Sequence, residues 1–181
     1  VTFYQVDSKL NVSTANNKSI TLTLPTGVAA STVAIAAGRF SGGTHDQLAI
    51  GYPDGNEFVK VTTIDFDGSG NPTQKTTSNA LMLISPPPPQ TSPYPPAIYL
   101  AKGKFSWFSA SDQLGVSLGT GGAANLTTTA IAVGVMSFDA SLNGTMGAQY
   151  DAENVCHFGL AAGRFDSMQT DQNTGASVPN P

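Results

Sequence analysis

The sequence predicts an all-β protein, and three observations lead to that prediction. Charged residues make up only 11% of the 181 residues, while 19 Gly and 12 Pro interrupt the chain and disfavour helix. Several segments alternate apolar and polar side chains, which indicates half-buried strands. A motif that marks these segments recurs after 65 and then 60 residues. Recurrence with such a period is typical of a fold that stacks similar units.

A Gly-basic-Phe motif ends the strand that opens each unit. A short polar loop follows, then the dipeptide Asp-Gln, and in the first two units a further apolar strand. The three motifs begin at Gly38, Gly103 and Gly163, and the dipeptides begin at Asp46, Asp112 and Asp171. The phenylalanines of the motif recur at one position of the unit, so we expect a place in the core for Phe40, Phe105 and Phe165.

A second pair of strands completes each unit. Residues 1–7, 59–67 and 131–139 each alternate apolar and polar side chains and end in an apolar residue followed by Asp. A turn that contains Gly or Asn comes next, and a Thr/Ser-rich strand follows the turn. Each period therefore holds roughly four short strands. Units of this kind predict a β-propeller, in which every blade is one antiparallel sheet and the blades surround an axis.

The repeats divide the chain into four parts. We expect the latter strands of one blade in 1–31, a full repeat ending in a Pro-rich loop in 32–96, a second full repeat in 97–156, and the opening strand of a further blade with a tail in 157–181. The two ends together amount to a third blade, and a ring needs about four to eight. The sequence therefore predicts an incomplete propeller, or one completed by assembly with blades from the same or another chain.

The first residue is Val1 rather than Met, and no signal peptide is visible. We therefore expect either a processed protein or a piece of a longer chain. Within the repeats, residues 85–96 contain seven prolines in twelve positions. Such a run is extended and stiff, which predicts a rigid loop between blades, and a ligand for an SH3-like groove is the alternative.

The motif at Gly38, continued by Asp46-Gln-Leu-Ala-Ile-Gly, resembles the FG-GAP/VCBS-type repeats of integrin α-chain propellers, certain fungal lectins and secreted microbial proteins. This resemblance covers nearly the whole chain and implies extracellular binding or adhesion. It also implies calcium in the loops that follow the motif. The first two loops hold one carboxylate each, so we expect Asp46 and Asp112 to bind loop backbone amides instead. Only Asp166 and Asp171 remain as calcium candidates, and no other cofactor is expected.

Two other patterns bear on metal binding and catalysis. Residues 65–71 resemble the start of a calcium loop, but Thr76 stands where an EF-hand needs Glu, so we expect a hairpin turn. The two histidines, His45 and His157, lack a nucleophile marked by a motif, and His157 points away from its strand neighbour Cys156. We therefore expect that the chain is not an enzyme.

Aromatic side chains are the candidate ligand-binding residues. Trp107 and Phe108 occupy the tip of the second loop, and Tyr94 lies among the prolines. Exposed aromatics stack on sugar rings or anchor a protein partner, although the three residues could instead pack together beneath the Pro-rich loop. Four Asn-X-Ser/Thr sequons supply candidate glycosylation sites, which are Asn11, Asn17, Asn125 and Asn143.

Composition limits the function further. The net charge of −4 argues against nucleic acid, and no apolar run is long enough to span a membrane. The sequons, the low charge and the abundant Thr favour an extracellular protein. The leading hypothesis is a secreted, non-catalytic binding or adhesion module that recognises a glycan or protein through its blade-connecting loops. The alternatives are a propeller segment of a larger secreted enzyme or toxin, and a structural subunit that assembles through its blade edges.

Overall fold

The computed structural model describes residues 1–6, 12–26, 28, 32–54, 58–82, 97–106, 109–119, 131–152, 168–170 and 177–179. In these residues the chain forms twelve strands and no helix. The strands make four antiparallel sheets, so the all-β prediction is confirmed. No helix in this part of the chain is long and apolar enough to cross a membrane.

Two of the sheets have four strands each, in meander order. The first sheet consists of β3 (Ala34–Gly38), β4 (Gln47–Pro53), β5 (Phe58–Phe66) and β6 (Pro72–Met82). The second sheet consists of β7 (Ala97–Gly103), β8 (Gln113–Gly119), β9 (Ile131–Phe138) and β10 (Gly144–Ala152). An N-terminal hairpin of β1 (Thr2–Val6) and β2 (Val12–Ser19) precedes both sheets in the chain.

The two four-stranded sheets are equivalent in register. Gly38 lies opposite Gln47 in the first sheet, and Gly103 lies opposite Gln113 in the second. The pairing of the third and fourth strands is irregular at the same place in both sheets, between Thr62 and Ile64 in β5 and at the corresponding positions of β9. The repeat seen in the sequence is therefore a repeat of backbone structure.

Each four-stranded sheet has two unlike faces, because side chains alternate along a strand. The second strand of each sheet, β4 or β8, carries its large side chains on one face, which we call the backward face, and small ones on the other, the forward face. The large residues are Leu48, Ile50 and Tyr52 in β4 and Leu114, Val116 and Leu118 in β8. Small residues such as Gly51 and Ser117 lie between them on the forward faces.

The main core lies between the forward face of the first sheet and the backward face of the second. Gly51 allows a close approach there, since a Cβ at this position would lie 3.2 Å from the Leu100 side chain. The Phe40 and Phe138 rings also meet across this interface, with centroids 5.1 Å apart. Buried members of the core come from both sheets, among them Val59, Val61, Leu81, Leu114, Val116 and Met136.

A second cluster joins the first sheet to the N-terminal hairpin. Ile50, Tyr52 and Ile64 are its buried members, on the backward face. Phe3 of the hairpin meets Phe66 edge to face, with centroids 5.1 Å apart. The order of layers is therefore N-terminal hairpin, first sheet, second sheet.

The prediction that the motif phenylalanines are core residues is right for Phe40 and wrong for Phe105. Phe40 is 0% exposed, whereas Phe105 is 40% exposed. The second sheet covers Phe40, and no described element covers Phe105 in the same way. Phe165 lies outside the described residues.

The third copy of the motif departs from the first two. The predicted loop 166–171 contains a strand, β11 (Met168–Thr170), which pairs with β12 (Ser177–Pro179). In the first two units, by contrast, the strand after Asp-Gln pairs with the strand that ends in the motif. The opening strand expected at the start of 157–181 lies outside the described residues.

Candidate functional site

Four loops lie together at one end of the two sheets, which we call the loop end. In an antiparallel meander the chain reverses at alternate ends, so the loops after the first and third strands share an end. The loops that meet here are 39–46, 67–71, 104–112 and 139–143. Trp107 and Phe108 belong to the third of them but lie outside the described residues.

Asp112 ties the two sheets together at the loop end. Its Oδ2 accepts a hydrogen bond from the Arg39 backbone N–H at 2.8 Å, and its own N–H donates to the Arg39 carbonyl at 3.2 Å. The Lys102 Nζ lies 3.6 Å from the same Oδ2. The prediction that Asp112 binds a loop amide is confirmed, but the amide belongs to the preceding sheet rather than to its own loop.

The glutamine of the Asp-Gln dipeptide closes the loop of its own sheet. Gln47 accepts from the Ser41 N–H at 3.3 Å and donates to the Ser41 Oγ at 2.9 Å. Gln113 accepts from the Ser106 N–H at 2.7 Å and donates to the Ser137 Oγ at 2.8 Å. Both glutamines are buried. The sequence reasoning gave these residues no role, although their recurrence after Asp was a usable signal.

Two of the loops share an Asp-x-x-x-Asn arrangement. The Oδ1 of Asp67 accepts from the Ser69 and Asn71 N–H groups, and its Oδ2 accepts from the Asn71 side-chain amide at 2.7 Å. Asp139 makes the same three bonds to Ser141 and Asn143. The hairpin turn predicted for 65–71 is confirmed, because β5 and β6 pair antiparallel on either side of it and the Asp67 N–H donates to the Asn71 carbonyl. The same spacing recurs in the sequence at Asp7 and Asn11, outside the described residues.

The loop 139–143 docks on the first sheet. Thr76 donates to the Asn143 Oδ1 at 3.0 Å, Thr63 donates to the Leu142 carbonyl at 3.3 Å, and the Gly144 N–H donates to the Ser78 Oγ at 3.0 Å. The Leu142 side chain is 2% exposed and enters the main core. Together with Asp112, this loop fixes the second sheet against the first along the loop end.

The His45 ring and the Asp65 carboxylate are hydrogen-bonded beside these loops. The His45 Nε2 lies 2.8 Å from the Asp65 Oδ1, and the Lys75 Nζ lies 3.8 Å from the Asp65 Oδ2. Partial burial acts to raise the pKa of Asp65, but hydrogen bonds from His45 and the Phe66 N–H and the charge of Lys75 outweigh it, so the pKa is lowered. Within the described ranges, no group of three or more His, Cys, Asp or Glu side chains could hold a metal ion.

The carboxyls of the Asp-x-x-x-Asn loops predict a loss of stability in acid. The Asn71 side-chain amide lowers the pKa of Asp67 below its ordinary 3.8, and Asn143 does the same for Asp139. A carboxyl whose pKa is lower in the folded state than in the unfolded state stabilises the fold at pH values above its ordinary pKa. This stabilisation is lost as the pH falls through the lowered pKa of the folded state. We expect urea midpoints to fall below about pH 4. Asp139→Asn should show a shallower fall, and an unchanged pH dependence in that variant would contradict this assignment.

A matched pair of variants tests the tie made by Asp112. Asp112→Ala removes the charge-assisted bond to the Arg39 N–H and the contact between the two sheets that it makes, so we expect the free energy of unfolding to fall by about 2 kcal/mol. Asp46→Ala changes the equivalent residue of the first sheet, which is exposed, and should cost about 0.5 kcal/mol or less. Urea denaturation of both variants is the measurement, and equal effects would argue against the tie.

Of the other candidate site residues, few fall in the described part of the chain. Tyr94, Asp166, Asp171, Asn11 and Asn125 lie outside it, as do Trp107 and Phe108. The packing of Tyr94 with Trp107 therefore stays a prediction.

The two sequons in the described residues differ in access. Asn17 is exposed on β2. Asn143 is also exposed, but its Nδ2, the atom to which a glycan would be attached, donates to Asp139 at 2.8 Å. A glycan on Asn143 would have to displace that bond, whereas Asn17 carries no such constraint in the described contacts.

Comparison of the chain with protein-family models, with curated proteins and with solved structures finds no match. The resemblance to FG-GAP/VCBS-type repeats therefore rests on the motif itself.

Proposed function

We propose that this chain forms part of a β-propeller of FG-GAP-like blades, and that it acts as a secreted, non-catalytic module that binds a glycan or a protein. One observation supports this proposal above the others. Both four-stranded sheets hold their loops at the same end through bonds from Asp and Gln side chains to the backbone. Loops fixed in advance lose little conformational entropy when they bind, which favours recognition.

The loops share a frame but differ at their tips. Gln47 closes a tip that reads Ser41-Gly-Gly-Thr, whereas Gln113 closes one that reads Ser106-Trp-Phe-Ser. A rigid frame that carries variable tips is how many binding proteins arrange their recognition loops. In the sequence the second tip contains Trp107 and Phe108, and aromatic side chains are residue types that serve glycan or protein recognition.

Four carboxylates at or beside the loop end are occupied by structural bonds. Asp67, Asp112 and Asp139 each bind backbone amides, and Asp65 is paired with His45. A general acid or base must instead face a substrate with its proton free to move. This arrangement supports binding without catalysis, and it supports binding that does not depend on calcium.

A glycan array probed with the purified chain tests this function. We expect one class of glycan to be bound by the wild type, with and without EDTA, and Trp107→Ala to lose at least about tenfold in affinity, as loss of one anchoring aromatic does. Tyr150→Ala is the matched control, because Tyr150 is 71% exposed on β10 away from the loop end. If Trp107→Ala bound the glycan as tightly as the wild type does, Trp107 would not be the anchoring residue. A blank array and no protein ligand would overturn the proposed function.

A further inference from the structure

Asn143 is followed by Gly144, and this is the only Asn-Gly pair in the sequence. An asparagine before glycine is chemically reactive, because glycine has no side chain to hinder attack of its backbone nitrogen on the Asn Cγ. The attack closes a five-membered succinimide ring. The bond from Cγ to the side-chain nitrogen breaks, and ammonia leaves with the proton of the glycine N–H. Water then opens the ring to aspartate or isoaspartate.

The equivalent asparagine of the first sheet lacks this chemistry. Asn71 occupies the same place in its Asp-x-x-x-Asn loop, but Pro72 follows it. Proline has no backbone N–H, and its nitrogen is already bonded to three carbons, so it cannot attack in this way. The two loops share three hydrogen bonds, and of their two asparagines only Asn143 can cyclise.

Core packing favours glycine at the position after Asn143. A Cβ at Gly144 would lie 2.8 Å from the Met136 Sδ and 3.1 Å from a carbon of the Phe138 ring, closer than ordinary van der Waals contact. Met136 and Phe138 are buried members of the main core. The core therefore selects the neighbour that makes Asn143 reactive, and protection of its amide has to come from other contacts.

Three hydrogen bonds hold the reacting groups. The Asn143 Nδ2 donates to the Asp139 Oδ2 at 2.8 Å, the Thr76 hydroxyl donates to the Asn143 Oδ1 at 3.0 Å, and the Gly144 N–H donates to the Ser78 Oγ at 3.0 Å. Ring closure removes Nδ2 and the Gly144 proton, so the first and third bonds cannot survive it. Because Thr76 and Ser78 belong to β6 of the first sheet, the contact between the sheets opposes the reaction.

We propose that Asn143 is a modification site, which deamidates spontaneously when loop 139–143 leaves the first sheet and keeps its amide while the loop is docked. The aspartate product presents a carboxylate where the amide donated to Asp139, so two like charges meet in place of a hydrogen bond. Isoaspartate also lengthens the main chain of the turn. Deamidation therefore weakens the docking further, and refolding does not restore it. This inference is independent of the proposed binding function.

Peptide mapping by mass spectrometry, after incubation at mildly alkaline pH, measures the conversion. The chain should be produced without glycosylation, so that every Asn143 starts as a free amide. We expect Asn143 to convert at least about tenfold more slowly in the folded protein than in urea, because the folded protein must first open locally. Asn71 is the control within the same molecule and should keep its amide in both conditions. Equal rates at Asn143 with and without urea would overturn the proposal, as would an Asn143 that keeps its amide in urea.

Ser78→Ala tests whether the contact between the sheets protects Asn143. Loss of the bond to the Gly144 N–H should raise the rate in the folded protein about three- to tenfold, the effect of one neutral hydrogen bond, and leave the rate in urea unchanged. Thr77→Val is the matched control, because it removes a hydroxyl from the adjacent residue of β6 that is hydrogen-bonded to Thr62 instead. An equal acceleration by Thr77→Val would assign the reaction to global unfolding and overturn the role of the docked loop.

Discussion

Phe40→Ala is expected to lower the free energy of unfolding by about 3–5 kcal/mol, as truncation of a fully buried phenylalanine does. Phe40 is 0% exposed and packs against Phe138 between the two sheets, so its loss leaves a cavity in the interface that joins them. Phe105→Ala removes the same side chain from the equivalent position of the second sheet. Because Phe105 is 40% exposed, we expect a cost of about 1 kcal/mol or less.

Guanidinium denaturation followed by the fluorescence of the single tryptophan, Trp107, measures both variants. The protein should be dilute enough to keep every sample monomeric, so that assembly does not contribute to the midpoint. The slope of the unfolding free energy against denaturant should match the wild type. Equal costs for the two variants would show that Phe105 is covered as well as Phe40, and would contradict the exposure that separates them.

Leu142→Ala is expected to lower the free energy of unfolding by about 2–4 kcal/mol, although Leu142 lies in a turn. Turn residues are usually exposed, but this side chain is 2% exposed and lies in the main core. Its backbone φ is +66°, in the left-handed region that disfavours a residue with a Cβ by about 1–2 kcal/mol. Gly70, with φ of +75°, holds the same position in the loop of the first sheet.

Leu142→Gly separates the core contribution from the backbone strain. Alanine keeps the strain and loses the side chain, whereas glycine loses the side chain and relieves the strain. Leu142→Gly should therefore be at least as stable as Leu142→Ala, the reverse of the usual order, in which glycine costs about 0.5–1 kcal/mol more. Urea denaturation of both variants at neutral pH gives the order. If Leu142→Ala were as stable as the wild type, the result would contradict the contribution of this loop to the core between the sheets.

The strands could be predicted from the sequence because each depends on a local pattern. Alternation and Gly-basic-Phe mark β3 and β7 directly, and the Asp turns mark the ends of β5 and β9. The Asp-x-x-x-Asn spacing was also visible, at Asp7, Asp67 and Asp139, and it would have identified Asn71 and Asn143 as partners within the turn. Such contacts span only four residues and need no knowledge of the fold.

The contacts between sheets could not be predicted in this way. Asp112 was expected to bind an amide, but the amide of Arg39 is 73 residues away and comes near only when the second sheet stacks on the first. Phe40 and Phe105 share one pattern, and their exposure differs because, in the part of the chain that the structure describes, a sheet packs against Phe40 and none packs against Phe105. A repeat in the sequence therefore specifies the unit, while the burial of each copy depends on its neighbour.

The adjacent residues Asp112 and Gln113 hold different sheets, so the motions of the two sheets are coupled at this dipeptide. Gln113 holds the loop of the second sheet, while Asp112 holds the Arg39 amide of the first. An opening of loop 104–112 that displaces Asp112 therefore also releases an amide proton of the neighbouring unit to solvent. Local fluctuations are coupled between nearest neighbours, as in a one-dimensional chain of interacting units. The first sheet is then protected from hydrogen exchange in part by a residue that it does not contain.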